Sequence, residues 1–389
     1  MHMADALISP AVGGAMWAAS AGLTVYSARK LKEEMDERKV PLMGVMGALI
    51  FAAQMINFTI PGTGSSGHLG GGLLLAVLLG PHAAFLTMAS ILTIQALFFA
   101  DGGLLALGCN IFNMGFFSCF VAFPLVYKRI TASGGRKPML SAALVASIVA
   151  LQLGALGVVT ETVFSGISEL TFGTFILLML PIHLAIGIVE GFVTASLVGF
   201  VRRTRPEVLE TELFRSAPGD SAGPGGIVRQ IEPRSHRGRG DFASPRPGSR
   251  SYRPVLIALI LIAAFTGGML SWFSSANPDG LEWSIARSRG DRVLQSSEGR
   301  IHALLSEVQK KIAFLPDYNF RKGAPEESAT GEGTKGKEDV WPSVSAGTSI
   351  SGLLGGAMSL ALVGLIGFGI KILQKKGRRT DKGSGITDR

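Results

Sequence analysis

The sequence predicts an all-α polytopic membrane protein, a seven-helix bundle followed by a two-helix hairpin that carries an extracytoplasmic domain. Three observations predict it. Across 389 residues, 47% are hydrophobic and the mean hydropathy is +0.38, far more apolar than a soluble multidomain chain. Apolar segments recur at about 8–28, 41–60, 69–80, 82–99, 105–127, 139–160 and 171–201, and again at about 254–273 and 349–373. Several reach the roughly 20 residues that a hydrocarbon core requires. Basic residues, finally, are confined to alternate connections of the first seven segments.

Taken in order, the connection 29–40 carries Arg29, Lys30, Lys32, Arg38 and Lys39, and the one after the fifth segment carries Lys128, Arg129, Arg136 and Lys137. The connections 61–68, 100–104 and 161–170 hold no Lys or Arg. The positive-inside rule then puts the first set in the cytoplasm and the amino terminus outside. The third and fourth segments are short and divided at Gly80–Pro81. Residues 1–201 form the seven-helix unit, and 202–253, rich in Arg, Pro, Gly and Ser, read as a disordered basic cytoplasmic linker. Residues 254–373 make the hairpin, with an external stretch at 276–348 whose ten basic and eleven acidic residues nearly balance. The basic tail, 374–389, anchors the end in the cytoplasm of a bacterial inner membrane. A net charge of +9 is accounted for by these loops, and no basic patch interleaved with aromatics points to nucleic acid. Cys109 and Cys119 share one helix and read as packing residues.

The chemistry starts at MHMADALISP. A chain beginning Met-His is expected to keep its methionine, because the trimming enzyme needs a small second residue. The Met1 amine, the His2 amide nitrogen and a His2 imidazole nitrogen can then close a five- and a six-membered ring on one ion. Planar nitrogen donors suit Ni(II) or Cu(II) rather than Mg2+ or Ca2+. His68, in the loop PGTGSSGHLGGG on the same expected face, is the candidate fourth donor. The plainer reading leaves His2 an early residue and His68 a loop residue.

Amides lie inside apolar segments, where they are costly. Gln54 and Asn57 fall at i,i+3 near the outer end of the second segment, Gln95 is in the fourth, and Asn110 and Asn113 lie in CNIFNMG. With Asp5 and His183 they are candidates to orient the ligands, or else they hydrogen-bond helix to helix. Glu190 shares a helix face with His183. Ala11, Ala15 and Ala19 make a small-residue face on the first helix, for internal packing or for another membrane subunit. GEGTKGKE at 331–338 has P-loop spacing, but Glu338 stands where Ser or Thr is required, so no nucleotide site is expected. No catalytic constellation appears, and the protein is read as a non-enzyme whose energy comes from a partner or a gradient.

Together MHMADALISP, GTGSSGHLGGGLLLAVLLGP, CNIFNMG and PIHLAIGIVEG resemble the substrate-binding S component of nickel and cobalt energy-coupling factor (ECF) transporters, the CbiM/NikM family, over about 1–201. The resemblance implies a square-planar all-nitrogen site on Met1, His2 and His68. Ala4 and Ala6 stand where the family start has Pro and Gly, which removes no ligand. SSANPDGLEW at 274–283, LPDYNF at 315–320, Trp341 and GTSISGLLGGAM look like the PDGLE-type accessory component, so the chain resembles a fusion of the NikMN kind. That implies a membrane coupling subunit and cytosolic ABC-type ATPases as partners, and no cofactor beyond the transported Ni2+ or Co2+. Because cobalt systems more often use a different small subunit, nickel is the expected ion. The alternatives are a cobalt importer subunit for cobalamin synthesis, a self-sufficient secondary carrier using His183 and Glu190, and a metalloenzyme or sensor acting through 276–348.

Overall fold

A computed structural model describes residues 2–34, 39–132, 137–167, 171–204, 253–289, 299–321 and 342–384. Met1, nearly all of the 202–253 linker and the 331–338 segment lie outside the described residues. What is described is helical apart from one short hairpin.

The amino-terminal segment makes a short 3-10 turn at Asp5–Leu7 and enters α1 (Pro10–Glu34). Ser9 caps that helix by accepting the Val12 N–H at 3.4 Å, and Pro10 suits a first turn whose N–H groups lack helical partners. The second apolar segment is not one helix. α2 (Lys39–Gln54) stops at Gln54, and the chain then forms β1 (Phe58–Ile60) and β2 (Ser65–Gly67), antiparallel with Phe58 opposite Gly67. Gly62 (φ +77°) and Gly64 (φ +76°) take the left-handed conformations of the turn. Asn57 therefore sits in a loop, not one turn from Gln54 on a helix face.

α3 (Gly72–Leu79) has 8 residues and is about 12 Å long, well short of a crossing. It ends at Gly80 (φ +80°), and Pro81 opens α4 (Pro81–Phe98). α5 (Leu107–Thr131) is wound as a π-helix from Phe112 to Tyr127, a feature no apolar periodicity announces. α6 (Lys137–Ser165) and α7 (Phe172–Thr204) complete the first unit. The second consists of α8 (Arg253–Gly268), α9 (Gly280–Arg289), α10 (Arg300–Ile312) and α11 (Ala346–Ser384), with 3-10 turns at Leu270–Phe273 and Pro316–Tyr318.

By length and composition, five described helices can cross a membrane: Pro81–Phe98, Leu107–Thr131, Pro138–Ser165, Phe172–Thr204 and Ala346–Lys375. α2 and α8 are apolar but shorter. The outward faces suit lipid, with Leu177, Leu261 and Leu365 exposed at 72%, 63% and 67%. The chain is a multi-pass membrane protein. Inside, α6 packs on α7 and α5, while α11 lies along α2 and α8. A Cβ on Gly352 of α11 would lie 2.3 Å from the Gly267 carbonyl of α8, so these helices cross backbone to backbone. α11 thus fastens the second unit to the first, and the segments between α8 and α11 fold over the end of the bundle where the β1–β2 hairpin, α4 and the amino-terminal segment meet.

Candidate metal centre

His2 and His68 meet. Their rings are nearly parallel, 13° apart in plane, with centroids 5.0 Å apart. Two imidazoles on one ion, with metal–nitrogen bonds of about 2 Å, have centroids roughly 4.4 Å apart when cis and roughly 6.2 Å when trans. The observed 5.0 Å lies nearer the cis value, so a small approach of the two rings would bring both to one ion.

Each histidine is held by its neighbours. His68 Nδ1 donates to the Leu69 carbonyl at 3.1 Å, which leaves Nε2 as the nitrogen with the lone pair. Burial, helped by the positive charges of the amino terminus and His2, lowers the His68 pKa to about 3, so the ring stays neutral and able to ligate at neutral pH. His2 Nδ1 lies 2.9 Å from Asp101 Oδ1, and its buried Nε2 has no hydrogen-bond partner among the described residues. The next residue is tied down by a pair of bonds. Met3 N–H donates to Asn110 Oδ1 at 2.8 Å, and Asn110 Nδ2 donates back to the Met3 carbonyl at 3.3 Å. That carbonyl also accepts the Gly103 N–H at 2.9 Å. Asp5 Oδ1 accepts the Ala106 N–H at 3.0 Å. A Cβ on Gly103 would fall 1.8 Å from the same oxygen, so the 101–106 loop needs glycine there to let the amino-terminal segment seat.

The loop bearing His68 is fixed from beneath. Gly70 N–H donates to Glu190 Oε2 at 2.7 Å, and its carbonyl accepts Gln54 Nε2 at 2.8 Å, itself supported by Gln95 Nε2 donating to Gln54 Oε1 at 3.0 Å. These buried groups of α2, α4 and α7 act on the backbone of the loop. Gln95 therefore reaches the loop through Gln54, and Asn57 meets the second unit instead, its carbonyl accepting the Ser275 N–H at 2.7 Å. Asn113 is turned away, donating to Glu161 at 2.7 Å. His183 donates through Nδ1 to the Met179 carbonyl at 2.8 Å and, with His68, Asp279 and Gly280, lines a cavity of about 10 Å3, room for one water or ion. Among the described residues, no three His, Cys, Asp or Glu side chains form a cage for a metal. Ala11, Ala15 and Ala19 lie elsewhere, on an exposed face of α1.

Three site residues escaped the reading of the sequence: Asp101, Asp279 and Tyr318. Asp101 stands alone in a loop without Lys or Arg, and nothing in its spacing marks it. Burial would raise its pKa, but the His2 charge and the hydrogen bonds from His2 and Tyr318 prevail and hold it far below the carboxylate range. Asp279 and Tyr318 belong to PDGLE and LPDYNF, motifs that carry the second resemblance but whose spacing alone gives neither residue a role. DGLE proves to be a capping box: Asp279 Oδ1 accepts the Glu282 N–H at 2.8 Å, and Glu282 Oε2 accepts the Asp279 N–H at 3.3 Å. β2 runs alongside, Ser66 N–H donating to the Pro278 carbonyl at 2.8 Å, which places the start of α9 against His68. Against the effect of burial, the amino-terminal charge and the hydrogen bond from the Glu282 N–H hold the Asp279 carboxyl below its usual range. The second unit also clasps the amino-terminal segment, His302 Nε2 donating to the Ile8 carbonyl at 2.9 Å.

Residues 2–208 match the family model described as the cobalt uptake substrate-specific transmembrane region (CbiM), and 253–372 match the PDGLE domain. A putative metal transport protein of Haloquadratum walsbyi is 36% identical over 218 residues, covering 56% of this chain and 96% of the relative. A putative fused nickel transport protein NikMN of Archaeoglobus fulgidus is 37% identical over 229 residues, 57% of this chain and 71% of the relative. The fused nickel transport protein NikMN of Rhodobacter capsulatus is 34% identical over 236 residues, 56% and 66%. The chain belongs to the CbiM family of metal-transport membrane proteins, and it carries a PDGLE domain behind the CbiM region.

Proposed function

We propose that this chain is the substrate-capture subunit of an ATP-driven nickel importer of the ECF type. In this reading the Met1 amine, the His2 amide nitrogen, His2 Nδ1 and His68 Nε2 make a square plane around the ion. The observation that carries it is the meeting of His2 and His68 at 5.0 Å, brought about by two separately anchored backbones. To close the six-membered ring the His2 imidazole turns over about Cβ–Cγ, presenting Nδ1 to the ion and its other nitrogen toward Asp101. One carboxylate then orients the ring with and without metal, as carboxylates behind metal-bound histidines commonly do.

Around this site we place seven helices of the first unit, α1 to α7 with α3 as a partial crossing, and the α8–α11 hairpin, with the amino terminus and 276–348 outside the inner membrane. The membrane coupling subunit docks on α1 at Ala11, Ala15 and Ala19, and cytosolic ATPases supply the energy. A Cβ placed on Gly14 or Gly22 beside them would meet no atom of another element within 4 Å, which leaves this face open for close helix packing. The secondary-carrier reading is less well supported, since Glu190 and His183 are engaged with backbone at Gly70 and Met179. Nickel is favoured by the NikMN relatives with which the chain shares its CbiM region. The family description favours cobalt as the second reading, and nitrogen donors accept both ions.

The test is uptake of radioactive nickel by cells expressing the chain with its partners, with and without a short peptide placed before Met1. The extension is expected to abolish uptake. Undiminished uptake would remove the terminal amine from the site.

A further inference from the structure

Among the described residues, three other than glycine have φ in the left-handed region: Ala100 (54°), Asp317 (51°) and Tyr318 (58°). They come from different units and meet in one place. Ala100 opens the loop that carries Asp101, and Asp317 and Tyr318 form the turn of LPDYNF. Non-glycine residues hold such conformations only where their surroundings over-determine them, and such positions gather at functional sites. Here the surroundings are plain. Asp317 N–H donates to the Phe99 carbonyl at 2.8 Å, Leu315 N–H donates to the Phe98 carbonyl at 3.3 Å, and Asp101 N–H donates to the Gln95 carbonyl at 3.1 Å. The Tyr318 ring stacks on Phe99, with centroids 5.1 Å apart and planes 22° apart. The strained turn delivers one group, the Tyr318 hydroxyl, which donates to Asp101 Oδ2.

Asp101 thus has a donor on each oxygen, Tyr318 on one and His2 on the other. A carboxylate held at both oxygens has a fixed plane, and a fixed plane fixes the ring it holds. We infer that Tyr318 of the PDGLE unit is a positioning residue for metal capture, acting through Asp101 on His2. This rests on the metal site proposed above. It gives the second unit a defined part in that site: it completes the support of a ligand that the first unit alone leaves held from one side.

Tyr318→Phe keeps the ring on Phe99 and removes only the hydroxyl. In the purified full chain with its native amino terminus, Ni2+ affinity is expected to fall roughly tenfold, as when the partner behind a metal-binding histidine is removed. The visible ligand-field band of bound Ni2+ is expected to shift or broaden, because the plane of one donor ring is released. The thermal unfolding of the metal-free protein should stay in place, which separates positioning from stability. Asp101→Asn keeps the side-chain shape, is expected to act in the same direction, and serves as the second variant should Tyr318→Phe not fold. Wild-type affinity and spectrum in Tyr318→Phe, with binding lost in His2→Ala, would overturn the inference and leave the site intact. Wild-type binding in His2→Ala would overturn the site and the inference with it.

Discussion

At the scale of single residues, the centre is a contest between burial and charge. Burial keeps His68 neutral, while Asp101 and Asp279 stay ionised despite burial because positive groups face them. A neutral imidazole flanked by two anions suits a divalent cation. Asp279→Asn separates the two duties of that residue, since Asn caps a helix as well as Asp does but brings no charge. Calorimetric titration with Ni2+ is expected to show roughly tenfold weaker binding, with α9 unaffected. The histidines were legible in the sequence because they are rare and stand beside glycine or at the chain start. Asp101 was not, because a lone loop carboxylate acquires meaning only from the residues that folding sets around it. Asn57 and Asn113 misled for the opposite reason. Their spacing suited a helix face, but α2 ends at Gln54, and Asn113 has a nearer partner in Glu161.

At the scale of elements, short irregular pieces place the site and long helices support it. The β1–β2 hairpin and the start of α9 form one hydrogen-bonded layer across both units, and Glu190 of α7 holds the Gly70 backbone that follows β2. The capping box at Asp279 and Glu282 gives that layer its edge. Glu282→Ala removes one half of the box and is expected to cost about 1 kcal/mol locally. Hydrogen exchange should register it as faster exchange of the first-turn amides of α9 and unchanged exchange in α4. The apolar segments marked most helices correctly, since hydrophobic runs of that length have few alternatives. They failed where the chain stops being regular. The segment 41–60 concealed a helix end and a strand, 69–80 concealed a helix of 8 residues, and the π-winding of α5 leaves the apolar pattern unchanged.

At the scale of the whole molecule, one chain joins a CbiM region to a PDGLE domain, and the second packs over the candidate site of the first. The joint is made by α11 against α2 and α8 and depends on the close approach of Gly267 and Gly352. Gly352→Leu is expected to force α8 and α11 apart, withdraw Asp279 and Tyr318, and weaken Ni2+ binding although no ligand has changed. Wild-type binding in that variant would show the site to be independent of how the units pack. The two units were legible as resemblances, but their meeting was not, because no local pattern relates Ser66 to Pro278 or Asp101 to Tyr318. The most direct measurement is metal analysis of the purified full-length protein with a native amino terminus, beside His2→Ala and His68→Ala. The wild type is expected to retain bound nickel and both variants to lose it. Nickel retained in both variants would place the site elsewhere.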